Sequence, residues 1–438
     1  MYPTLYHAFY DLFGVEWPAL KLVNSFGFFV ALAFLAASAL LTRELKRKGA
    51  EGVLPVEKRK RIVGKPASLS DIAFNAGMGF LFGWKIIYLL LNAGELFTGN
   101  NRPTDFIFSG DGYPILGLLL GAGFGVWRWW TGNKNKLDQP REELVDYHKW
   151  EYTGNITLVA AIGGITGAKF FHLFENPDEF MMFFREPSVD NFLSGLTIYG
   201  GLIIGGLAVW LYARRVKIPM GHLCDATAPG LILAYGIGRI GCQVSGDGDW
   251  GIANTAAKPG WIPEWLWSYR YPNNVNAVRF ENPDGGYAGK LIPKVDPTCD
   301  APVCEGIIDG QVVDIYQGYG TYLDPGVFPT PVYETAMALA IFGILWALRK
   351  RFKAPLLLFA AYLMFNGIER FFIEKIRVNN TMDFLGMEIT QAELISTVFF
   401  LCGLALFLFI WRRRDHYATK YGPDRFKAPA NAGGAPES

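Results

Sequence analysis

Nine stretches of this chain are long and apolar enough to cross a lipid bilayer, and nothing else in it constrains the fold as much. A hydrocarbon core about 30 Å thick takes roughly 20 apolar residues in helix. The runs lie near residues 22–41, 72–94, 112–130, 155–174, 193–213, 223–243, 332–348, 354–374 and 392–411. Only 18% of the 438 residues are charged, against about 25% in soluble domains. The expected fold class is therefore an all-α polytopic membrane protein with about nine transmembrane helices. The segment before the first run, MYPTLYHAFYDLFGVEW, is acidic and aromatic and has no basic stretch of the kind that opens a cleaved signal. It is expected to stay on the protein.

Orientation follows from lysine and arginine, because short basic loops stay cytoplasmic. Residues 43–65 and 128–149, Arg214, Arg215, Lys217, the run 349–353 and Arg412 to Arg414 are densely basic and alternate correctly with nine spans. The N-terminus is then outside and the C-terminus cytoplasmic, with an outer-face insertion between helices six and seven. These basic runs are read as topology signals and contacts with anionic lipid rather than a nucleic-acid interface. The net charge of +1 adds nothing to a nucleic-acid reading. The expected organisation is an outer segment 1–21, a first transmembrane helix 22–41, a hairpin 72–130, a core in two halves (155–251 and 329–411) around the insertion 252–328, and a disordered cytoplasmic tail 415–438. Cys299 and Cys304 fall in the insertion, at a spacing that permits a disulfide in an oxidising compartment without requiring one. No cluster suggests a metal.

The chain repeats itself at an offset of 84 residues. Gly83-WKIIYLLL-Asn92 aligns with Gly167-AKFFHLFE-Asn176, and each is followed by another glycine-rich span. A parallel repeat marks a transporter or a duplicated hairpin carried by an enzyme. Most of these glycines, Gly117, Gly121, Gly125, Gly201 and Gly205 among them, are explained by close helix packing.

Charges inside apolar spans are costly and face partners or a wet cavity. Here they are Lys85, Lys169, Asp225, Arg239, Glu369, Arg370, Glu374 and Glu393. Lys169 and His172 share one helix face, as do Arg370, Glu374 and Arg377 at i, i+4 and i+7. Arg239 ends the sixth span at the same outer level, before glycines that allow a tight turn. Arginine forks suit a phosphate. The alternative is that Arg370 and Glu374 pair with each other and the remaining charges snorkel to water.

In order along the chain, GRIGCQVSGDGDWG (238–251), SGLTIYGGLIIGG (194–206), FPTPVYE (328–334) and RFFIEKIR (370–377) resemble the motifs of the prolipoprotein diacylglyceryl transferase family. Lys169 falls where that family usually has arginine, and Gln391 at its "MGQ" glutamine. The resemblance implies transfer of the diacylglyceryl group of phosphatidylglycerol to the lipobox cysteine thiol of a prolipoprotein, with glycerol phosphate released. It implies no cofactor, and as partners the bilayer, phosphatidylglycerol and lipobox peptides, but no nucleic acid. The location implied is the bacterial inner membrane, with the active site toward the outer face. Carried over by motif, the catalytic group is Arg239, Tyr199, Arg370 and Glu374, with Asp247 and Glu374 orienting the two arginines, and His172 joins it because its span adjoins the same outer leaflet. Substrate binding falls to Lys169, Gly200, Gly201, Gly238, Gly241, Cys242, Gly246, Asp247, Gly251, Tyr333, Glu334, Arg377 and Gln391.

Departures from the pattern put the base in question. Tyr199 stands where the family has histidine, Cys242 where it has asparagine, Phe328 where it has another histidine, and an expected tyrosine of the first span is replaced near Ser25 and Phe26. Tyr199 is a poor base at neutral pH. His172 either takes over or is a buried, hydrogen-bonded histidine. Nine spans exceed the family's usual seven, with the 72–130 hairpin as the extra pair. The aromatic insertion (Trp261, Trp265, Trp267, Tyr269, Tyr271) reads as a lid on lipid heads or as a self-packed domain. Two other functions stay open: a divergent phospholipid-binding relative with another acceptor or none, and a transporter built on the repeat.

Overall fold

The computed structural model describes residues 1–92, 109–134, 136–177, 180–181, 195, 197–276, 281–379, 381–384 and 386–423. After a short helix α1 (Leu5–Phe13), the long helices are α2 (Ser25–Ala50), α3 (Leu69–Leu91), α4 (Pro114–Lys134), α5 (Thr153–Glu175), α6 (Ile198–Arg215), α7 (Met220–Ser245), α8 (Thr330–Leu348), α9 (Leu357–Glu374) and α10 (Gln391–Arg412). Among the described residues, α2, α3, α5, α8 and α10 are long and apolar enough to cross a membrane.

Local chemistry sets the helix ends. Asn24 caps α2 by accepting from the Gly27 N–H, while Ser68 with Asp71 and Thr390 with Glu393 form capping boxes on α3 and α10. Helix α7 stops at Gly246, whose φ of 65° is the left-handed conformation that glycine takes without strain. Packing centres on α7, which lies against α2, α8 and α9, while α10 backs α9 and α5 pairs with α6. Ile232, Ala338, Ile341, Leu345, Leu358 and Ala361 form the apolar seam of α7, α8 and α9. Many large apolar side chains point outward, Phe74, Leu118, Leu202 and Phe372 among them.

The sequence repeat is a structural one. In each hairpin two helices cross so closely that a side chain has no room: a Cβ on Gly83 would sit 2.6 Å from the Leu116 carbonyl oxygen, and one on Gly167 2.4 Å from that of Gly200. The Tyr113 N–H donates to the Trp84 carbonyl at 3.0 Å, and 84 residues later the Thr197 N–H donates to that of Ala168 at 3.1 Å. The Asn92 amide donates to the Tyr88 carbonyl, and the Asn176 amide to that of His172, each at 2.9 Å.

Strands appear where basic connectors were expected. β1 (Glu57–Val63) and β2 (Arg141–Tyr147) pair antiparallel, Glu57 opposite Tyr147 and Val63 opposite Arg141. They bracket the α3–α4 hairpin. Alternating cross-strand charges such as Lys60 and Glu142, 2.8 Å apart, replace the apolar alternation by which strands are usually recognised. The 252–328 insertion is a small β domain: β3 (Glu281–Asn282), β4 (Tyr287–Leu291) and β7 (Thr321–Asp324) form one sheet, β5 (Val303–Ile308) and β6 (Gln311–Tyr316) a hairpin. Trp250, Tyr271, Tyr287, Leu323 and Val327 fill its core, and Cys299 is disulfide-bonded to Cys304. The N-terminal segment packs on it, the His7 ring lying 4.5 Å from that of Tyr316. A last hairpin, β8 (Thr381–Phe384) and β9 (Met387–Thr390), precedes α10. The tail expected to be disordered from residue 415 begins as a short helix, α11 (Arg414–Lys420). Residues 424–438 lie outside the described ones, as do the 93–108 connection and the start of the 193–213 span.

Candidate active site

The end of the helix bundle that carries the β domain holds a dense cluster of buried charge. Glu334, on the first turns of α8, is its hub and is fully buried. Arg239 of α7 places Nε 3.2 Å from Glu334 Oε2, Arg370 of α9 places Nη1 3.2 Å from Oε1, and Arg377, just past α9, places Nη1 3.5 Å from Oε1. Arg370 also reaches Glu374 one turn on, Nη2 to Oε2 at 3.2 Å, and Glu374 accepts from the Asn379 amide at 2.5 Å. The Tyr235 hydroxyl, one turn before Arg239, lies 2.9 Å from Glu334 Oε1 and 3.2 Å from Glu369 Oε1.

The glycine-rich turn after α7 supplies the second anchor, and here the expected residue is corrected. Asp249, not Asp247, grips the arginines: it pairs with Arg239 and lies 2.6 Å from Arg377 Nη2. Two contacts fix this choice. Thr330 Oγ1 donates to the Asp249 carbonyl at 2.7 Å, and Gly251 lies against the Arg377 strand so tightly that a Cβ there would meet the Ile376 oxygen at 2.4 Å. Burial opposes the charge on Asp249, yet Arg239 and Arg377 hold its carboxyl well below the usual range. Asp247 moves the other way, pushed up by burial and then by the charge of Asp249. Cys242 donates to Asp249 Oδ2 at 3.4 Å. The ligand atoms of Cys242, Asp247 and Asp249 lie within 4.8 Å of one another, but two guanidiniums already occupy Asp249, so the trio is poorly set for a cation.

Other residues singled out in the sequence are placed elsewhere. Gly200 and Gly201 are crossing points of α5 and α6, and Gly241 admits Phe29 of α2. Gly246 closes α7, and Gly238 has open space around it. Tyr333 donates to the Leu266 carbonyl at 2.6 Å and so ties the β domain to α8. Gln391 is exposed on the first turn of α10. Lys169 is buried on α5. The described hydrogen bonds of His172 stay on its own helix, with Asn176, and its ring packs on Gly195. Tyr199, half-buried on α6, makes no hydrogen bond among the described residues.

Asp249 and Tyr235 were not assigned from the sequence, and Glu369 was noted there only as an intramembrane charge. Periodicity carried the signal for Tyr235, four residues before Arg239, whereas no spacing pointed to Asp249 or to Glu369, which as the immediate neighbour of Arg370 sits on a different face.

The family model described as prolipoprotein diacylglyceryl transferase matches residues 114–409, from the start of α4 almost to the end of α10. A phosphatidylglycerol–prolipoprotein diacylglyceryl transferase of Corynebacterium efficiens is 29% identical over 263 residues, covering 59% of this chain and 68% of that protein. Those of Bifidobacterium adolescentis and Mycobacteroides abscessus are 26% identical over 305 residues and 24% over 306, each covering 67% of this chain, with 73% and 76% of those proteins covered. The chain belongs to the prolipoprotein diacylglyceryl transferase family.

Proposed function

We propose that the protein transfers the diacylglyceryl group of phosphatidylglycerol to the lipobox cysteine thiol of prolipoproteins, releasing glycerol phosphate, as the first step of bacterial lipoprotein maturation. The observation that carries this reading is the convergence of three guanidiniums on Glu334. A phosphodiester becomes a phosphate monoester as the glyceryl carbon–oxygen bond breaks, and the added negative charge needs donors already aimed at it. Arg239 of α7, Arg370 of α9 and Arg377 just past α9 are held in place by Glu334, Glu374 and Asp249, so their forks need no reorganisation when that charge develops. Arg377 Nε and Nη1 are buried with no hydrogen-bond partner among the described residues, which leaves donor capacity for a ligand.

In this reading nine helices, α2 to α10, cross the cytoplasmic (inner) membrane, the basic end faces the cytoplasm, and the arginine cluster and β domain lie at the outer face, where secreted prolipoproteins arrive. Helices α3 and α4 are the pair beyond the usual seven, and the transferase core is 155–251 with 329–411. The transporter reading is weaker because the charged cluster belongs to α7, α8 and α9, whereas a repeat-built transporter puts its polar groups between the repeats.

The test uses purified protein in detergent with phosphatidylglycerol and a peptide bearing one lipobox cysteine. The expected result is a peptide mass gain of one thioether-linked diacylglycerol, lost in Arg239→Ala. No gain from folded protein that still binds phosphatidylglycerol would overturn the reading in favour of a lipid-binding relative.

A further inference from the structure

Thiol attack needs a proton acceptor, and neither His172 nor Tyr199 is joined to the arginine cluster by a described hydrogen bond. The structure offers another group. Glu369 on α9 is buried, and alone among the three glutamates of the cluster it has no guanidinium within ion-pair distance among the described residues. Its Oε2 has no hydrogen-bond partner among those residues. Its Oε1 faces the Tyr235 hydroxyl at 3.2 Å, while the same hydroxyl faces Glu334 at 2.9 Å. A phenol has one proton to donate. Three oxygens therefore share one hydrogen, and the contact between Tyr235 and Glu369 closes only when a second proton joins them.

We propose that Tyr235 and Glu369 together take the proton of the acceptor thiol, Tyr235 meeting the thiol and Glu369 behind it receiving the charge. The inference rests on the transferase reading above. Tyr235 is the less buried of the pair, so the relay runs from its hydroxyl to Glu369. In the step, the sulfur–carbon bond forms at the glyceryl methylene, and the carbon–oxygen bond to phosphate breaks with its electron pair leaving on glycerol phosphate. The thiol proton passes to the Tyr235 oxygen as the Tyr235 proton passes to Glu369, and it later departs with glycerol phosphate. The charged groups that face Glu369 are Glu334 on α8, Arg239 on α7 and Arg370 on its own helix, with Tyr235 and Tyr362 the neighbouring phenols.

The experiment measures kcat and KM against pH for wild type, Glu369→Gln, Glu369→Asp and Tyr235→Phe, with phosphatidylglycerol and a lipobox peptide. At about pH 7, kcat is expected to fall about 100-fold in Glu369→Gln and Tyr235→Phe, with KM for phosphatidylglycerol unchanged. A free thiol ionises near pH 8.5, so the deficit is expected to shrink at least tenfold by about pH 9.5, where no acceptor is needed. Glu369→Asp, which keeps the carboxylate, recovers part of the rate. A full rate at neutral pH, or a deficit that does not change with pH, overturns the inference and passes the role to another group, Asp247 first. Should Glu369→Gln not fold, Tyr235→Phe carries the same test. A wild-type protein that transfers nothing would instead count against the functional reading.

Discussion

Buried charge occurs at both ends of the bundle, and the two ends treat it differently. At the basic end, Glu44 takes Arg47 at 2.7 Å and Arg349 at 3.0 Å, and Asp225 caps α9 by accepting from the N–H groups of Leu356 at 2.9 Å and Phe359 at 3.0 Å. Each carboxylate oxygen there has its donor, and both groups are essentially inaccessible. At the end that carries the β domain, Glu369 Oε2 and two nitrogens of Arg377 have no hydrogen-bond partner among the described residues, and Glu334 Oε2 and Glu374 Oε2 meet guanidiniums at 3.2 Å without hydrogen-bond geometry, although the side chains of Arg370 and Asp249 remain 26% and 34% exposed. Unmade hydrogen bonds in buried groups are expensive. A network that completes its own bonds holds helices together, whereas one that leaves them unmade and open at its rim is suited to a ligand.

The sharpest way to break this contrast is Glu334→Gln, which removes the charge on which three arginines converge. A loss of about 1,000-fold in transfer rate is expected, read by the mass assay, and a rate within tenfold of wild type would show that the hub is only structural. Next is Asp225→Asn at the closed end, which weakens two helix-capping bonds. It should cost about 3 kcal/mol of stability, roughly a 100-fold rise in the unfolding constant, while the kcat of surviving protein stays within about threefold. Chemical denaturation in detergent beside the assay separates the two. Asp249→Asn should lower transfer about 30-fold by loosening the forks of Arg239 and Arg377 and leave the unfolding midpoint nearly unchanged, the reverse of Asp225→Asn.

The smallest effect concerns the N-terminal segment. Burial, followed by the charge of Lys21, lowers the His7 pKa to about 4. A base depressed in the folded state stays neutral there while the unfolded segment binds a proton, so this docking is complete above about pH 6.5 and weakens as pH falls toward 4. By about pH 5 the opening equilibrium should rise roughly tenfold, seen as faster hydrogen exchange in residues 1–13. His7→Gln should flatten that dependence, and an unchanged slope would remove His7 from it.

Much of the site was legible because charge inside an apolar run is conspicuous. Arg239, Glu334, Arg370, Glu374 and Arg377 could be picked out by that criterion and by motif. What sequence could not settle was which aspartate of the turn faces inward: Asp247 and Asp249 are two residues apart among glycines, and only the backbone path fixed by Thr330 and Gly251 chooses between them. Tyr199 was placed by motif and His172 by helix level, and neither says which neighbour a helix turns toward. The long helices follow the apolar runs of the sequence, except that α2 continues to Ala50, nine residues past its run, and five of them are long and apolar enough to cross a membrane. The β1–β2 pairing was invisible, since most of its residues are charged and the few apolar ones do not alternate along the strands.

That pairing has a consequence for how such a chain tolerates change. From Val63 to Arg141 the polypeptide makes a long excursion through α3 and α4, yet those two residues are partners in one ladder, roughly 5 Å apart between Cα atoms. The excursion is thus stitched shut at its base. A two-residue turn joining Val63 to Arg141 would rejoin the ladder at its base, and what would then be lost with the hairpin is the packing of Leu89 on Ala19 and Leu22 beside the N-terminal segment.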